Sequence, residues 1–222
     1  MHLVVGLGNP GEHYARTRHN VGWAVLDELA ARHAAGEGLG HATFRTRRAV
    51  IAAQEVVLLQ PLTYMNLSGE ALAAWREQYG KEDELLVVSD DVYLPMGMLR
   101  VRASGSSGGH RGLDSIEAAV GSRDYTRLRI GAGAPGAPMR EDGSGMGQAA
   151  DAAALREHVL QKIAPEELPV LAEAVRQAAD AVECWLAEGA LSAMNQFNRR
   201  VDPFHPSART GPARVRQEES ET

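Results

Sequence analysis

The sequence predicts an α/β fold: a single domain in which helices flank a mixed, largely parallel central sheet. Apolar, β-branched segments of strand length alternate along the chain with segments whose apolar residues recur at helical spacing. Polar residues directly follow several strand segments, and ligands of such sheets normally bind beyond the carboxyl ends of the strands. The 222 residues include 44% apolar and 23% charged side chains, which suffices for one sizeable core.

The first part of the chain is expected to form a strand, a helix and a strand pair. The strand covers 2–7, an apolar run that ends in the turn-forming segment GNPG. The helix covers 21–34 after Asn20, a suitable N-cap, and the glycine-containing segment GEGLG ends it. A hairpin or two adjacent strands are expected between 43 and 60, and Pro61 stops the second strand.

The middle of the chain continues the alternation. A helix is expected to begin at Asn66 or Ser68, either of which can act as its N-cap, and to end near Tyr79. Apolar runs and alternating patterns predict the elements that follow: strands at 85–91, 98–102 and around 125–133, and a helix near 113–120.

Three segments near the C-terminus differ in composition. Residues 135–150 are rich in glycine, proline and alanine, and the length of this segment predicts a mobile lid. Strong helical periodicity resumes over 165–187. Residues 201–222 contain few apolar side chains, so we expect a disordered tail after a folded domain that spans 1–200.

Composition limits the classes of function. Every apolar run is interrupted well before the roughly 20 residues that a membrane-spanning helix needs, and the N-terminus lacks the pattern of a signal peptide. The single cysteine, Cys184, excludes an internal disulfide framework and a thiolate-rich metal site, and it favours a reducing compartment such as the cytoplasm. The net charge of −6 means that a nucleic acid would have to bind a local basic patch. We expect a monomer.

The segment GLGNPG at 6–11 matches the glycine pattern of dinucleotide-binding proteins, and Asp27 or Glu28 lies at a suitable distance for a ribose contact. That mechanism requires the third glycine to open a helix whose N-terminus faces the pyrophosphate. Here Pro10 and the nine residues EHYARTRHN delay the helix. A dinucleotide-binding oxidoreductase is therefore the weaker interpretation.

Two residues have the chemistry of a hydrolytic site. His19 lies in a polar loop between a strand and the first helix, where a neutral imidazole can accept a proton from water. Asp90 and Asp91 end the apolar strand LLVVSDD, and a carboxylate there can orient an imidazole and select its tautomer. Either feature alone is more often structural, as a loop histidine or as an acid in a turn. Asn9 also lies just beyond a strand end.

Six segments, taken in order, together resemble the bacterial peptidyl-tRNA hydrolase family: GLGNPG, YARTRHNVG, TYMNLSG, DDVYLP, GGHRGLDSI and RLRIG. The resemblance covers about residues 2–200. It implies hydrolysis of the ester that joins a peptide to the 3′-terminal ribose of tRNA, so that tRNA is recycled from peptides dropped during translation. Such an ester can be cleaved by an activated water and donors for the developing oxyanion, without a metal or another cofactor.

The resemblance also implies roles for individual residues. His19 matches the catalytic base, and Asp90 matches the carboxylate that holds this imidazole in its basic form. Asn9 matches the residue that helps to distinguish N-blocked peptidyl esters from free aminoacyl esters. Three further positions match residues that contact the substrate: Tyr14, Tyr64 and Asn66.

A basic segment could bind the tRNA. Residues 100–129 contain six arginines and three acidic residues, a local surplus of three positive charges in an acidic protein. Arg102 and Arg129 match the family's basic residues that bind tRNA phosphate, and Arg100 is expected to assist. Two other arginines of the segment are expected only to face solvent: Arg123 and Arg127.

The chain departs from the family pattern at two positions. Arg111 stands where the family usually has asparagine, and we retain it as a substrate-binding residue with a changed role. Tyr93 stands where the family usually has an acid. A non-catalytic RNA-binding protein on the same scaffold is the further alternative, although the complete set of His19, Asp90 and Asn9 favours an enzyme.

Overall fold

The computed structural model of the protein describes residues 1–133 and 152–198. The predicted lid at 135–150 and the predicted tail at 201–222 lie outside the described residues. Seven strands form one sheet in the order β2-β3-β4-β1-β5-β7-β6. Their bounds are β1 His2–Gly6, β2 Gly36–Gly40, β3 Phe44–Ile51, β4 Gln54–Pro61, β5 Glu84–Asp91, β6 Leu99–Arg102 and β7 Thr126–Gly131.

Helices cover both faces of this sheet. Short 3-10 helices at Glu12–Tyr14, Arg18–Asn20 and Met65–Leu67 join the strands to the longer helices. The α-helices of the described residues are α1 Val21–Arg32, α2 Ser68–Tyr79, α3 Arg111–Val120, α4 Ala152–Leu160, α5 Leu168–Glu188 and α6 Ala190–Phe197. None of these helices combines the length and the apolar character needed to cross a membrane.

The sheet is mixed, as the sequence predicts. Strands β4, β1, β5 and β7 lie parallel at its centre, while β3 and β6 run antiparallel to their neighbours. Side chains of the central strands are buried on both faces: Val4 packs in a core with α1 and α5, whereas Leu3 and Val5 pack in a second core with α2 and α3. Burial on both sides explains why these strands are continuous apolar runs. The fold is a single α/β domain.

A glycine contact places the start of α1 against the end of β1. A Cβ atom at Gly22 would lie 2.5 Å from the backbone nitrogen of Leu7, and one at Gly6 would lie 2.4 Å from the backbone oxygen of Gly22. Real side chains do not fit such distances, so both positions require glycine. The close approach holds the 3-10 helix Arg18–Asn20 over the carboxyl ends of the central strands.

The segment GEGLG was expected only to end the first helix, but it forms the edge strand β2. It pairs antiparallel with β3, and a Cβ atom at Gly38 would lie 2.3 Å from Oγ1 of Thr46. Three glycines in five residues give no apolar alternation, so this strand has no sequence signal. Helices α4 and α6 were likewise not predicted.

The N-cap predicted for α1 is confirmed in position, whereas the one predicted for α2 is wrong. Asn20 occupies the N-cap position of α1, but its side chain makes no capping hydrogen bond. The N-cap of α2 is Leu67, and the hydroxyl of Ser68 donates to the backbone oxygen of Met65 instead. Helix α3 begins at Arg111, ahead of the expected 113, because the ring of His110 caps it.

Candidate active site

His19 and Asp90 are brought together at the carboxyl ends of the central strands. His19 lies on the 3-10 helix that precedes α1, and the buried Asp90 lies near the end of β5. The Nδ1 atom of His19 is 2.8 Å from Oδ1 of Asp90. Because an ionised carboxylate only accepts hydrogen bonds, Nδ1 carries the proton and donates it to Asp90. The Nε2 atom of His19 is thereby left as a proton acceptor.

A second histidine, His110, contacts the same oxygen. Its Nε2 atom lies 3.0 Å from Oδ1 of Asp90. Its Nδ1 atom accepts hydrogen bonds from the backbone N–H groups of Gly112 (3.2 Å) and Leu113 (3.3 Å). Since backbone N–H groups only donate, Nδ1 has no proton and Nε2 donates to Asp90. His110 therefore caps helix α3 and holds the carboxylate at the same time.

The buried pair has shifted proton affinities. Burial alone would lower the pKa of His19, but the charge of Asp90 and the hydrogen bond to it together raise that pKa above the ordinary value of 6.5. Burial alone would raise the pKa of Asp90, but the charges and hydrogen bonds of His19 and His110 hold it far below its usual range. Asp90 therefore stays ionised throughout the physiological range.

His19, Asp90 and His110 are close enough together to hold a metal ion, since one donor atom from each residue lies within 4.8 Å of the other two. Binding through Nε2 of His110 would move the ring proton to Nδ1, which faces two backbone N–H donors. The hydrogen bonds of the ring therefore fit support of Asp90 better than coordination of a metal.

Asn9 is held by side-chain and backbone contacts from two other segments. The side chain of Asn20 accepts from the backbone N–H of Asn9 (2.9 Å) and donates to its carbonyl oxygen (3.0 Å). Oδ1 of Asn9 accepts from the backbone N–H of Met65 (2.8 Å). Because Oδ1 is engaged, the side-chain Nδ2 of Asn9 is the group left to donate to a ligand.

Tyr14, Tyr64 and Asn66 flank this network. The rings of Tyr14 and Tyr64 meet edge to face, with centroids 6.4 Å apart. Tyr64 is exposed, and so is Asn66 on the 3-10 helix Met65–Leu67. None of the three lines the cleft that contains His19. They form a neighbouring exposed surface, which is joined to the end of β1 through the Met65–Asn9 hydrogen bond.

The cleft beside the His19–Asp90 pair has a volume of about 370 Å³. We call it the catalytic cleft because His19, the expected catalytic base, lines it. Both positions at which the sequence departs from the family pattern, Arg111 and Tyr93, line it. Helix α4 closes one side. The other functional candidates in its lining are His19, Asp90, His110, Arg129 and Arg156.

The predicted phosphate-binding arginines occupy three different environments. Arg102 is exposed on the edge strand β6, and Arg100 on the same strand is half-buried opposite Arg129 of β7. The guanidinium of Arg129 donates to Oδ2 of Asp91 (3.1 Å) and to the backbone oxygen of Ser106. Arg129 thus lies in the catalytic cleft, while Arg102 lies on the outer surface.

The expectation that Arg127 faces solvent is wrong. Its side chain is buried, lies over the ring of Tyr125 at 4.0 Å, and donates to Oε1 of Glu117 (3.2 Å) and to the backbone oxygen of Arg123 (3.2 Å). Helix α3 covers this part of β7 and supplies the carboxylate. The side chain of Arg123 is exposed, as expected.

Comparison with known proteins identifies the family. The family model described as peptidyl-tRNA hydrolase matches residues 3–204. Peptidyl-tRNA hydrolases of Chloroflexus aggregans and Roseiflexus castenholzii are 46% and 44% identical to this chain; the alignments cover 89% and 95% of it, and 99% and 92% of those proteins.

The chain belongs to the peptidyl-tRNA hydrolase family.

A solved structure agrees with this membership. The peptidyl-tRNA hydrolase from Acinetobacter baumannii superimposes with a TM-score of 0.76 at 32% identity, over 89% of this chain and 94% of that one. A peptidyl-tRNA hydrolase fold also accounts for the segment GLGNPG. The chain continues from Gly11 into the 3-10 helix Glu12–Tyr14, and α1 begins only at Val21. Because no long helix opens at Gly11, the dinucleotide-binding interpretation is not supported.

Sequence reasoning missed His110 as a site residue. It lies within one of the peptidyl-tRNA hydrolase segments, GGHRGLDSI, yet only the structure reveals its contact with Asp90. The available signal was a histidine placed directly before a helix, where a ring nitrogen can cap the backbone. Arg156 was missed because helix α4 was not predicted, and it has no such signal.

Proposed function

We propose that this chain hydrolyses the ester bond between a peptide and the 3′-terminal ribose of tRNA, and that His19 activates the attacking water. The observation that carries this proposal is the 2.8 Å contact between Nδ1 of His19 and the buried carboxylate of Asp90. It leaves Nε2 free to accept a proton, at the edge of a cleft, in a chain whose relatives are named peptidyl-tRNA hydrolases.

The reaction needs no covalent enzyme intermediate. Water attacks the ester carbonyl while its proton passes to Nε2 of His19. The bond from the carbonyl carbon to the ribose oxygen then breaks, and the imidazolium returns the proton to that oxygen. The products are a peptide carboxylic acid, which loses its remaining proton to solvent, and a tRNA with a free terminal hydroxyl.

Asp90 stabilises the imidazolium that forms during the attack. Its own charge is retained because His110 donates to the same oxygen. Amide groups supply neutral donors for the carbonyl oxygen as it becomes negative. The residues proposed for this are Asn9, through Nδ2, and Asn66.

The remaining candidates bind the substrate. Tyr14 and Tyr64 offer an aromatic surface beside Asn9, suited to the peptide or the terminal base. Arg102 and Arg100 on β6 are proposed to bind phosphates of the tRNA body. Arg129 has the same proposed ligand, but it lies in the catalytic cleft and so would act nearer to the ester.

The test is release of the N-acetyl-aminoacyl group from tRNA under multiple turnover. We expect His19→Ala to reduce turnover by about 10²–10⁴-fold, the usual contribution of a positioned base, with folding and tRNA binding nearly intact. His33→Ala, a histidine on the far side of α1 that contacts Glu183, is the matched control. A loss below tenfold for His19→Ala would contradict the assignment. Wild-type protein that binds tRNA but releases nothing would instead be a non-catalytic RNA-binding protein.

A further inference from the structure

Two clefts of this molecule meet at a wall formed by Arg111 and Arg156. One is the catalytic cleft, and the other is an open groove of about 660 Å³ beside it. We call the second one the outer groove. Arg111 and Arg156 are the two described residues that line both. Any ligand that extends from the catalytic cleft into the outer groove must therefore pass these two guanidinium groups.

Two faces of helix α4 line the two clefts, and Arg156 lines both clefts. Leu155 and Val159 of this helix line the catalytic cleft, whereas Glu157 and Leu160 line the outer groove. Arg156 lies on the ridge between these two faces.

The wall carries two positively charged side chains, Arg111 and Arg156. Arg111 is the first residue of α3. The N-terminal end of a helix dipole is positive, so the dipole does not stabilise the positive charge of the Arg111 guanidinium. The side chains of Arg111 and Arg156 are exposed, and among residues 1–133 and 152–198 neither side chain forms an ion pair or hydrogen bond. Asp114, in the first turn of α3, is not within ion-pair distance of Arg111. Glu157 is the single acid among the described lining residues of the outer groove.

We propose that Arg111 and Arg156 together bind the phosphodiester that links the terminal adenosine of tRNA to the preceding nucleotide. This inference rests on the proposed function, because the reacting ester must lie at His19. Arg111 directly follows His110, whose ring contacts Asp90, so the wall is one residue removed from the catalytic pair. That phosphodiester is separated from the ester oxygen by a single ribose. Two guanidinium groups can each donate paired hydrogen bonds to its oxygens.

The proposal gives the unusual Arg111 a role distinct from the other arginines. Arg102 and Arg129 project from strands β6 and β7, whereas the wall is built from helices α3 and α4. The wall binds the last phosphate before the ester, which an uncharged asparagine at position 111 would bind more weakly.

The test compares three esters that carry the same N-acetyl-aminoacyl group: on adenosine, on cytidylyl-adenosine and on intact tRNA. Only the first lacks the phosphodiester in question. For Arg111→Asn and Arg156→Gln we expect KM for the cytidylyl-adenosine ester to rise roughly tenfold each, as for one lost charged hydrogen bond. Turnover at saturation should change less than about twofold, and the adenosine ester should be cleaved as by the wild type. Arg48→Gln, an exposed arginine on β3 far from both clefts, is the control.

Three results would overturn the proposal. An unchanged KM for the cytidylyl-adenosine ester in both variants would show that the wall does not contact the phosphate. An equal loss on the adenosine ester would place the arginines at the ester itself. When the cytidylyl-adenosine ester is also made with an N-acetyl-aspartyl group and with an N-acetyl-alanyl group, a loss confined to the acidic one would assign the wall to the peptide.

A binding measurement separates this inference from the proposed function. Cytidylyl-adenosine and its neutral methylphosphonate analogue can be titrated into wild type and variants without any hydrolysis. We expect wild type to prefer the charged dinucleotide and both variants to lose about tenfold of that preference. If wild type cleaves no ester, the proposed function fails, while this titration still decides the phosphate site.

Discussion

At the scale of single residues, the charge of Asp90 controls the protonation of His19. In its proposed role as the base, His19 must be neutral, and because its pKa is raised above 6.5 we expect turnover to fall as the pH drops through that pKa. We expect Asp90→Asn to lower turnover and to move the midpoint of this fall to lower pH, because the charge that raises the pKa of His19 is gone. The measurement is the pH dependence of turnover. Asp124→Asn, which removes an exposed carboxylate just before β7 and outside the catalytic cleft, is the control, and a midpoint that stays in place in Asp90→Asn would refute the coupling.

The sequence predicted the pairing of His19 with Asp90, because the acids that end the LLVVSDD strand can orient an imidazole and both residues match positions of the family that the chain resembles. Sequence patterns failed for Arg127. Alternating arginines on a strand look exposed, and the burial of Arg127 depends on Glu117 of α3, ten residues away in sequence. The spacing of the arginines in the sequence does not indicate that helix α3 packs over strand β7.

At the scale of elements, the segment that joins α4 to α5 is attached to the turn that carries His19. The buried Arg18 forms an ion pair with Glu167 and donates to the backbone oxygen of His158 (3.3 Å). The backbone N–H of Ile163 donates to the oxygen of Arg16 (3.0 Å). These contacts attach the turn that carries His19 to the segment between α4 and α5.

We therefore expect Glu167→Gln to lower both stability and turnover, because it leaves the cation of Arg18 buried without its partner. The cost in free energy of unfolding should be roughly 2 kcal/mol, less than for a fully buried pair since Glu167 is partly exposed. Chemical denaturation measures the first effect, and turnover well below the melting temperature measures the second. Glu173→Gln, which breaks an exposed ion pair on the adjoining helix α5, should cost about 0.5 kcal/mol or less. Equal costs for the two variants would contradict this account.

The central strands and the long helices were predictable because each is a continuous or periodic apolar segment. Strand β2 was not, because its pairing depends on backbone groups and on the room that Gly38 leaves beside Thr46. Asn20 lies at the predicted N-cap position, but its side chain binds Asn9 rather than its own helix, which the sequence does not indicate.

At the scale of the whole molecule, an acidic protein has to bind a polyanion through a few local cations. Arg102 is exposed on the edge strand, and among the described residues no ion pair or hydrogen bond involves its side chain. We expect Arg102→Ala to weaken tRNA binding and to reduce the slope of log affinity against log salt by about 0.9, one phosphate's share on a duplex. Salt titrations of tRNA binding measure this.

Hydrolysis of a short 3′-end ester should be unaffected by the same change, because Arg102 lies outside the catalytic cleft. Arg48→Ala again serves as the control for the loss of a surface cation. If Arg102→Ala slowed the short ester as much as the tRNA, this arginine would belong to the catalytic site.

Asn9, Asn20 and Met65 come from three separate segments, yet three hydrogen bonds between side-chain amides and backbone groups join them. During evolution, substitutions in one of these three segments therefore depend on the residues in the other two. A change at position 20 would release the backbone of Asn9, and a released Asn9 would lose its hold on the turn that begins at Met65. We expect functional relatives either to keep these three positions or to change them together. A laboratory library that varies the three segments independently should consist largely of inactive variants.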